Sequence, residues 1–169
     1  MSRRRLPLLL VSALLLVGAG PRGCPWLAAR FALQPESSFT QGCFDPCMCP
    51  TLIGQPIEGE LGMIEIPREE AAPFREFSVA FVHWRTKLGG EELSITGSGH
   101  YRVGGEVALT QQLELDLRIG RGPVQHFDSG LVAGGGEFPK KLDVRISVNG
   151  EFCFDTVIDV VAAPLISNL

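Results

Sequence analysis

Residues 106–120, EVALTQQLELDLRIG, alternate apolar and polar side chains with a period of two. Leu113, Leu115, Leu117 and Ile119 fall on one side. Glu114, Asp116 and Arg118 fall on the other. That is the pattern of a β-strand with one face in a core and one in water. IEGELGMIEI (57–66) sets Ile57, Leu61, Met63 and Ile64 at strand-like spacing. FREFSVAFVHW (74–84) places Phe77, Val79 and Phe81 on one face and Ala80, Val82 and Trp84 on the other, which predicts a strand buried on both sides. ELSITGSGHYRV (92–103) is interrupted by Gly97 and Gly99, where a bulge or bend is expected. GPVQHFDSGLV (122–132) is a shorter, mixed segment, and AGGGEF (133–138) is a loop.

The last elements lie in KLDVRISVNGEFCFDTVIDVV (141–161). Asn149-Gly150 between two alternating runs is a strong hairpin signal. Two registers fit. A two-residue loop sets Val148 opposite Glu151, Ile146 opposite Cys153 and Val144 opposite Asp155, which mixes polar and apolar groups on one face. A three-residue loop, Val148-Asn149-Gly150, pairs Ser147 with Glu151. It gathers Leu142, Val144 and Ile146 with Phe152, Phe154 and Thr156, leaving Asp143, Arg145, Cys153 and Asp155 on the other face. A slip of one residue moves every side chain across the sheet, so the second register, with the cleaner separation, is preferred.

Ahead of these strands, residues 30–56 are rich in Pro, Gly, Ser and Cys and show no helical period. They read as an irregular Cys-rich N-terminal segment. No stretch of ten residues after residue 29 carries a 3.6-residue period. Strands separated by Gly-rich turns predict an all-β fold, an antiparallel β-sandwich or barrel over residues 57–169.

The first residues belong to a different category. Arg3, Arg4 and Arg5 precede the apolar run Leu6–Val17, and small residues follow at Gly18-Ala19-Gly20 and Ala28-Ala29. This is the layout of a secretory signal peptide over residues 1–29, cut after Gly20 or near Ala29. The run is shorter than the ~20 residues that span a bilayer, so membrane attachment is expected only through this segment if it stays uncleaved. The expected location is exported: periplasmic, cell-surface or secreted. Of 15 Lys and Arg, four (Arg3, Arg4, Arg5, Arg22) precede residue 30, which leaves 11 against 19 acidic residues, a net charge of −8. An acidic surface repels phosphate backbones, and nucleic acid is not an expected partner.

Export changes how the five cysteines are read. Three of them, Cys43, Cys47 and Cys49, lie in GCFDPCMCP (42–50); Cys24 and Cys153 are the others. A cut near Ala29 leaves four. In an oxidising compartment thiols close into disulfides. Cys47 and Cys49 are too close in sequence to pair without strain. Cys43 is therefore expected to bond either Cys47 or Cys49, with the remaining one bonded to Cys153. The alternative is a soft-metal site for Cu(I) or zinc, with Cys43, Cys47, Cys49 and Met48 as ligands. Zinc sites usually add a second Cys pair or histidines, and His83, His100 and His126 are scattered. A reactive thiolate needs a neighbouring base or cation, and the nearest charge is Asp45.

Other constellations carry less. GSGHYRVGGE (97–106) lacks the helix that a phosphate-binding loop opens, so it reads as strand and turn. His126 and Asp128 share one strand face and could orient an imidazole. Glu58 with Glu60, and Asp155 with Asp159, are candidate carboxylate pairs whose separation the sequence leaves open.

GCFDPCMCP, GSGHYRVGGE, QQLELDLRIG with VQHFDSGLV, and the final NGEFCFD together resemble a family of uncharacterised exported bacterial proteins with a GCxxPCxCP motif. The resemblance spans most of the mature chain. It implies a bacterial source and carries no activity. The sequence as a whole reads as a disulfide-stapled β domain, a binding or structural module rather than an enzyme, with no cofactor and with an unidentified ligand or protein partner.

Overall fold

The computed structural model describes residues 29–47 and 49–165. The signal-peptide segment 1–28, Cys24 and Met48 lie outside the described residues. Ten strands carry the fold: β1 (Ala29–Leu33), β2 (Ser38–Cys43), β3 (Leu52–Ile66), β4 (Phe74–Leu88), β5 (Glu91–Gly104), β6 (Thr110–Ile119), β7 (Val124–Asp128), β8 (Val132–Ala133), β9 (Leu142–Ser147) and β10 (Phe154–Pro164). Every pairing is antiparallel, and no helix occurs among the described residues.

The strands form one large sheet whose hydrogen bonding runs round in a ring. β3 to β7 make a meander. β1 and β2 share one lane between β10 and β3, with β1 beside the C-terminal half of β10 and β2 beside its N-terminal half. The turn between them folds over β10, where the Ser37 hydroxyl donates to the Val161 carbonyl at 2.8 Å. β9 pairs with β10 along its length and touches β7 through the single pair Asp128↔Ser147. The ring is therefore uneven: β3 and β4 have 15 residues each, β7 only five. It lies between the sandwich and barrel alternatives, a curled sheet rather than a regular barrel.

The alternation in β6 does what the sequence predicts. Leu113, Leu115 and Leu117 are buried in the core, Ile119 packs partly against it, and Asp116 and Arg118 face water. In β3, Ile57, Leu61 and Met63 are buried while Ile64 is only half-buried.

β4 departs from expectation. It is not buried on both faces. Val79 pairs with Gly99 and Val82 with Gly97, so Ala80 and Phe81 together oppose Ser98. This β-bulge resets the alternation, so Phe77, Val79, Val82 and Trp84 all enter the core and Phe81 is expelled, 68% exposed. The glycines opposite the bulge serve the next strand pair. A Cβ on Gly97 or Gly99 would run into the carbonyl oxygens of Asp116 and Glu114 on β6, so only glycine lets the strands curl this closely here.

Both hairpin registers are wrong. Strand pairing resumes only at Ser147↔Val157, with Ile146↔Ile158, Val144↔Val160 and Leu142↔Ala162. The loop is wider because residues 154–156 pair with β2 instead, and because the buried carboxylate of Asp155 holds the loop backbone. The observed register still sorts the faces, since Leu142, Val144, Ile146, Ile158, Val160 and Ala162 all lie in the core.

The N-terminal segment is more regular than its composition suggests. Residues 30–56 hold nearly all of β1, all of β2 and the start of β3, anchored by the buried rings of Phe31 and Phe39. At one end of the ring Phe138, from the loop before β9, packs its ring 5.9 Å from Phe31, 5.0 Å from Phe77 and 4.9 Å from Tyr101. Beneath it the Tyr101 hydroxyl donates to Gln111 Oε1 at 3.0 Å, and Gln111 Nε2 donates to the Asp143 carbonyl at 2.7 Å, so these buried polar groups are satisfied.

Candidate functional site

The cysteines meet at the opposite end of the ring. Cys43 closes β2 and Cys153 immediately precedes β10, whose first residue pairs with Cys43. The Phe44 N–H donates to the Cys153 carbonyl at 2.9 Å, which brings the β2–β3 and β9–β10 loops together. Cys43 is bonded to Cys49 (Cα–Cα 5.6 Å) and Cys47 to Cys153 (Cα–Cα 4.8 Å), one of the two arrangements left open by the spacing. With all four sulfurs so bonded, Cys43, Cys47 and Cys49 offer no thiolates to a metal in this structure. No group of three or more His, Cys, Asp or Glu side chains is arranged to hold an ion among the described residues. The histidines stand apart on the outer face: His83 beside Glu60 and Thr96, His100 beside Ser78 and Glu114, His126 beside Asp116.

The paired groups singled out in the sequence also separate. His126 turns its Nδ1 to Asp116 Oδ1 at 2.9 Å, not to Asp128. That hydrogen bond, aided by the charges of Asp116, Asp128 and Glu114, raises the imidazole pKa above its ordinary 6.5. Asp128 instead accepts from Gln112 Nε2 at 2.9 Å and from the Gly130 N–H at 2.7 Å. Glu58 pairs with Arg85 at 3.3 Å and Glu60 with Arg30, so they form two ion pairs rather than an acid–base couple. Asp159 binds Arg145 at 3.0 Å and Ser38 Oγ at 2.8 Å, while Asp155 serves the loop backbone.

The feature with the geometry of a binding site lies elsewhere, on the outer face of β3, β4 and β5. A groove of about 780 Å³ is lined there by Gly59 and Gly62 of β3, the first half-buried and the second buried. Phe81, His83 and Arg85 rise from β4, Ser94 and Thr96 from β5, and the Arg30–Glu60 ion pair stands across from them. The volume falls in the range of small-molecule sites, and the groove is open to solvent rather than enclosed. Phe81 is its unusual member. Its φ is +54°, in the left-handed region that disfavours a bulky side chain, yet its ring gains little burial in return. A second hollow of about 550 Å³, lined by Pro35, Pro56, Thr86 and Lys87, adjoins it and shares Arg85.

The sequence reading missed this groove because it assigned Phe81 to the core. The available signal was the run SVAFVHW, in which neither parity is purely apolar or polar, opposite two closely spaced glycines. No known protein family, curated protein or solved structure matches the chain.

Proposed function

We propose that the protein is an exported, disulfide-stapled binding module and that its ligand lies in the groove over β3, β4 and β5. The carrying observation is Phe81, an aromatic ring held exposed by a strained backbone. Such strain persists only where the surrounding structure imposes it, and it concentrates at functional positions. Here the bulge imposes it. The chemistry of the walls defines the ligand in outline. A ring for an apolar face stands beside hydroxyl, imidazole and guanidinium groups that hydrogen-bond a polar edge. The signal-peptide layout and the paired cysteines support export.

Amide-shift mapping by NMR tests the reading, with short peptides and oligosaccharides titrated into the mature protein. Ligands that move the amides of Gly59–Gly62, Phe81–Arg85 and Ser94–Thr96, and that lose affinity in Phe81→Ala, support it. Ligands that map only elsewhere, or bind Phe81→Ala equally well, refute it.

A further inference from the structure

One strand runs beneath both hollows of the outer face. After its bulge β4 alternates strictly: Val82, Trp84 and Thr86 are buried, while Phe81, His83, Arg85 and Lys87 are exposed. These four side chains stand in line on one face, about 20 Å from first to last at the usual rise of a strand. Arg85 lines both hollows, so the two meet at its side chain. The neighbours across the strands form rungs. Glu60 of β3 lies opposite His83, Glu58 opposite Arg85, and Glu92 of β5 opposite Lys87. Residues directly opposite share a face, so each rung sets a carboxylate acceptor beside a nitrogen donor, and rungs repeat about every 7 Å.

Two further properties narrow the ligand. The charge of the furrow is balanced: leaving His83 aside, Arg30, Arg85 and Lys87 face Glu58, Glu60 and Glu92. A charged polymer finds no excess of the opposite sign to meet. No strand edge is open here either. β3 pairs with β4 on one side and with β1 and β2 on the other, and β4 pairs with β3 and β5. A peptide in the furrow would have no strand edge to extend.

Resting on the binding-module reading, we infer that the furrow takes a linear, neutral oligosaccharide lying along β4 from Phe81 to Lys87. The Phe81 ring packs against the apolar C–H face of one sugar. The rungs beyond it meet the hydroxyls of the sugars that follow. A hydroxyl both donates and accepts, which suits a repeating pair of carboxylate and nitrogen donor.

A glycan array holding neutral and acidic glycans from disaccharides to octasaccharides tests this beside a peptide array. Ligands that bind are then measured by calorimetry on the mature protein, on Phe81→Ala and on Lys87→Ala/Glu92→Ala. The expected result is that neutral glycans bind, a hexasaccharide about tenfold tighter than the disaccharide of its series. Phe81→Ala weakens both. Lys87→Ala/Glu92→Ala, at two exposed positions outside the Phe81 groove, weakens the hexasaccharide about fivefold and leaves the disaccharide within about twofold. The retained disaccharide affinity shows that the double variant is folded. A hexasaccharide bound no tighter than the disaccharide, or one indifferent to the double variant, would overturn the inference. So would acidic glycans that bind tighter than neutral ones, or binding at Phe81 by peptides alone. In each of these cases binding that depends on Phe81 leaves the binding-module reading standing. No binding that depends on Phe81, by any arrayed ligand, would overturn both.

Discussion

The carboxylate of Asp155 accepts the backbone N–H of Asn149 at 3.0 Å and that of Glu151 at 2.7 Å, from a position only 3% exposed. It also accepts the N–H of Thr156 at 2.7 Å. One side chain thus satisfies two donors of the β9–β10 loop and one at the start of β10, and fixes the backbone on which Cys153 sits. Asp155→Ala leaves those donors without a partner, and charged hydrogen bonds of this kind are worth about 1.5–3 kcal/mol each in buried settings. Because water can reach part of the loop, the expected loss in urea denaturation is about 2–4 kcal/mol in total. A loss under about 1 kcal/mol would mean that the loop holds its shape without Asp155.

The two disulfides should contribute unequally. Cys47–Cys153 closes a sequence separation of 106 residues and Cys43–Cys49 one of six. In the chain-entropy account the first is worth about 5 kcal/mol and the second about 2 kcal/mol. Cys153→Ser should therefore lower stability in oxidising buffer more than Cys49→Ser does. Each variant should expose one titratable thiol. Equal losses would show that loop length does not govern the contribution of either bond.

The His126–Asp116 pair makes stability weakly pH-dependent. The imidazole pKa is raised in the folded state, so the stabilisation is complete below about pH 6.5 and is lost as the pH climbs through the higher folded value. Both side chains are exposed, which keeps the contribution below about 1 kcal/mol. The sharper measurement is NMR titration of the imidazole. Its midpoint should stand above 6.5 in the parent and fall in Asp116→Asn. An unchanged midpoint in the variant would mean that the neighbouring charges of Glu114 and Asp128, rather than the hydrogen bond, raise it.

How far the sequence foretold the fold depended on whether a pattern was local. β6 was legible because its leucines meet one core and Asp116 and Arg118 between them meet water. β4 was not, because the bulge at Ala80-Phe81, opposite Ser98 between Gly97 and Gly99 of β5, inserts a residue that no two-fold pattern records. The Asn149-Gly150 turn marked the right place. The register failed because the side chain that widens the loop, Asp155, was read as one more alternating strand residue. Phe31 and Phe39 were hidden among prolines, glycines and serines, yet both are buried and turn that segment into strands. The cysteine pairing was half legible. Separation excluded a Cys47–Cys49 bond, while the choice between Cys47 and Cys49 for Cys153 rests on how the two loops approach in space. The candidate groove was out of reach, since its key residue is exposed only through the bulge.

The most direct test of the account is urea denaturation of Phe81→Gly beside Phe81→Ala. If Phe81 is kept for binding at the expense of backbone strain, glycine at φ +54° relieves that strain and loses little burial. Phe81→Gly should then be more stable than the parent by about 1 kcal/mol, and Phe81→Ala, which keeps a Cβ, should gain less. A Phe81→Gly variant less stable than the parent would show that the ring is there for packing, and would remove the observation on which the binding groove rests.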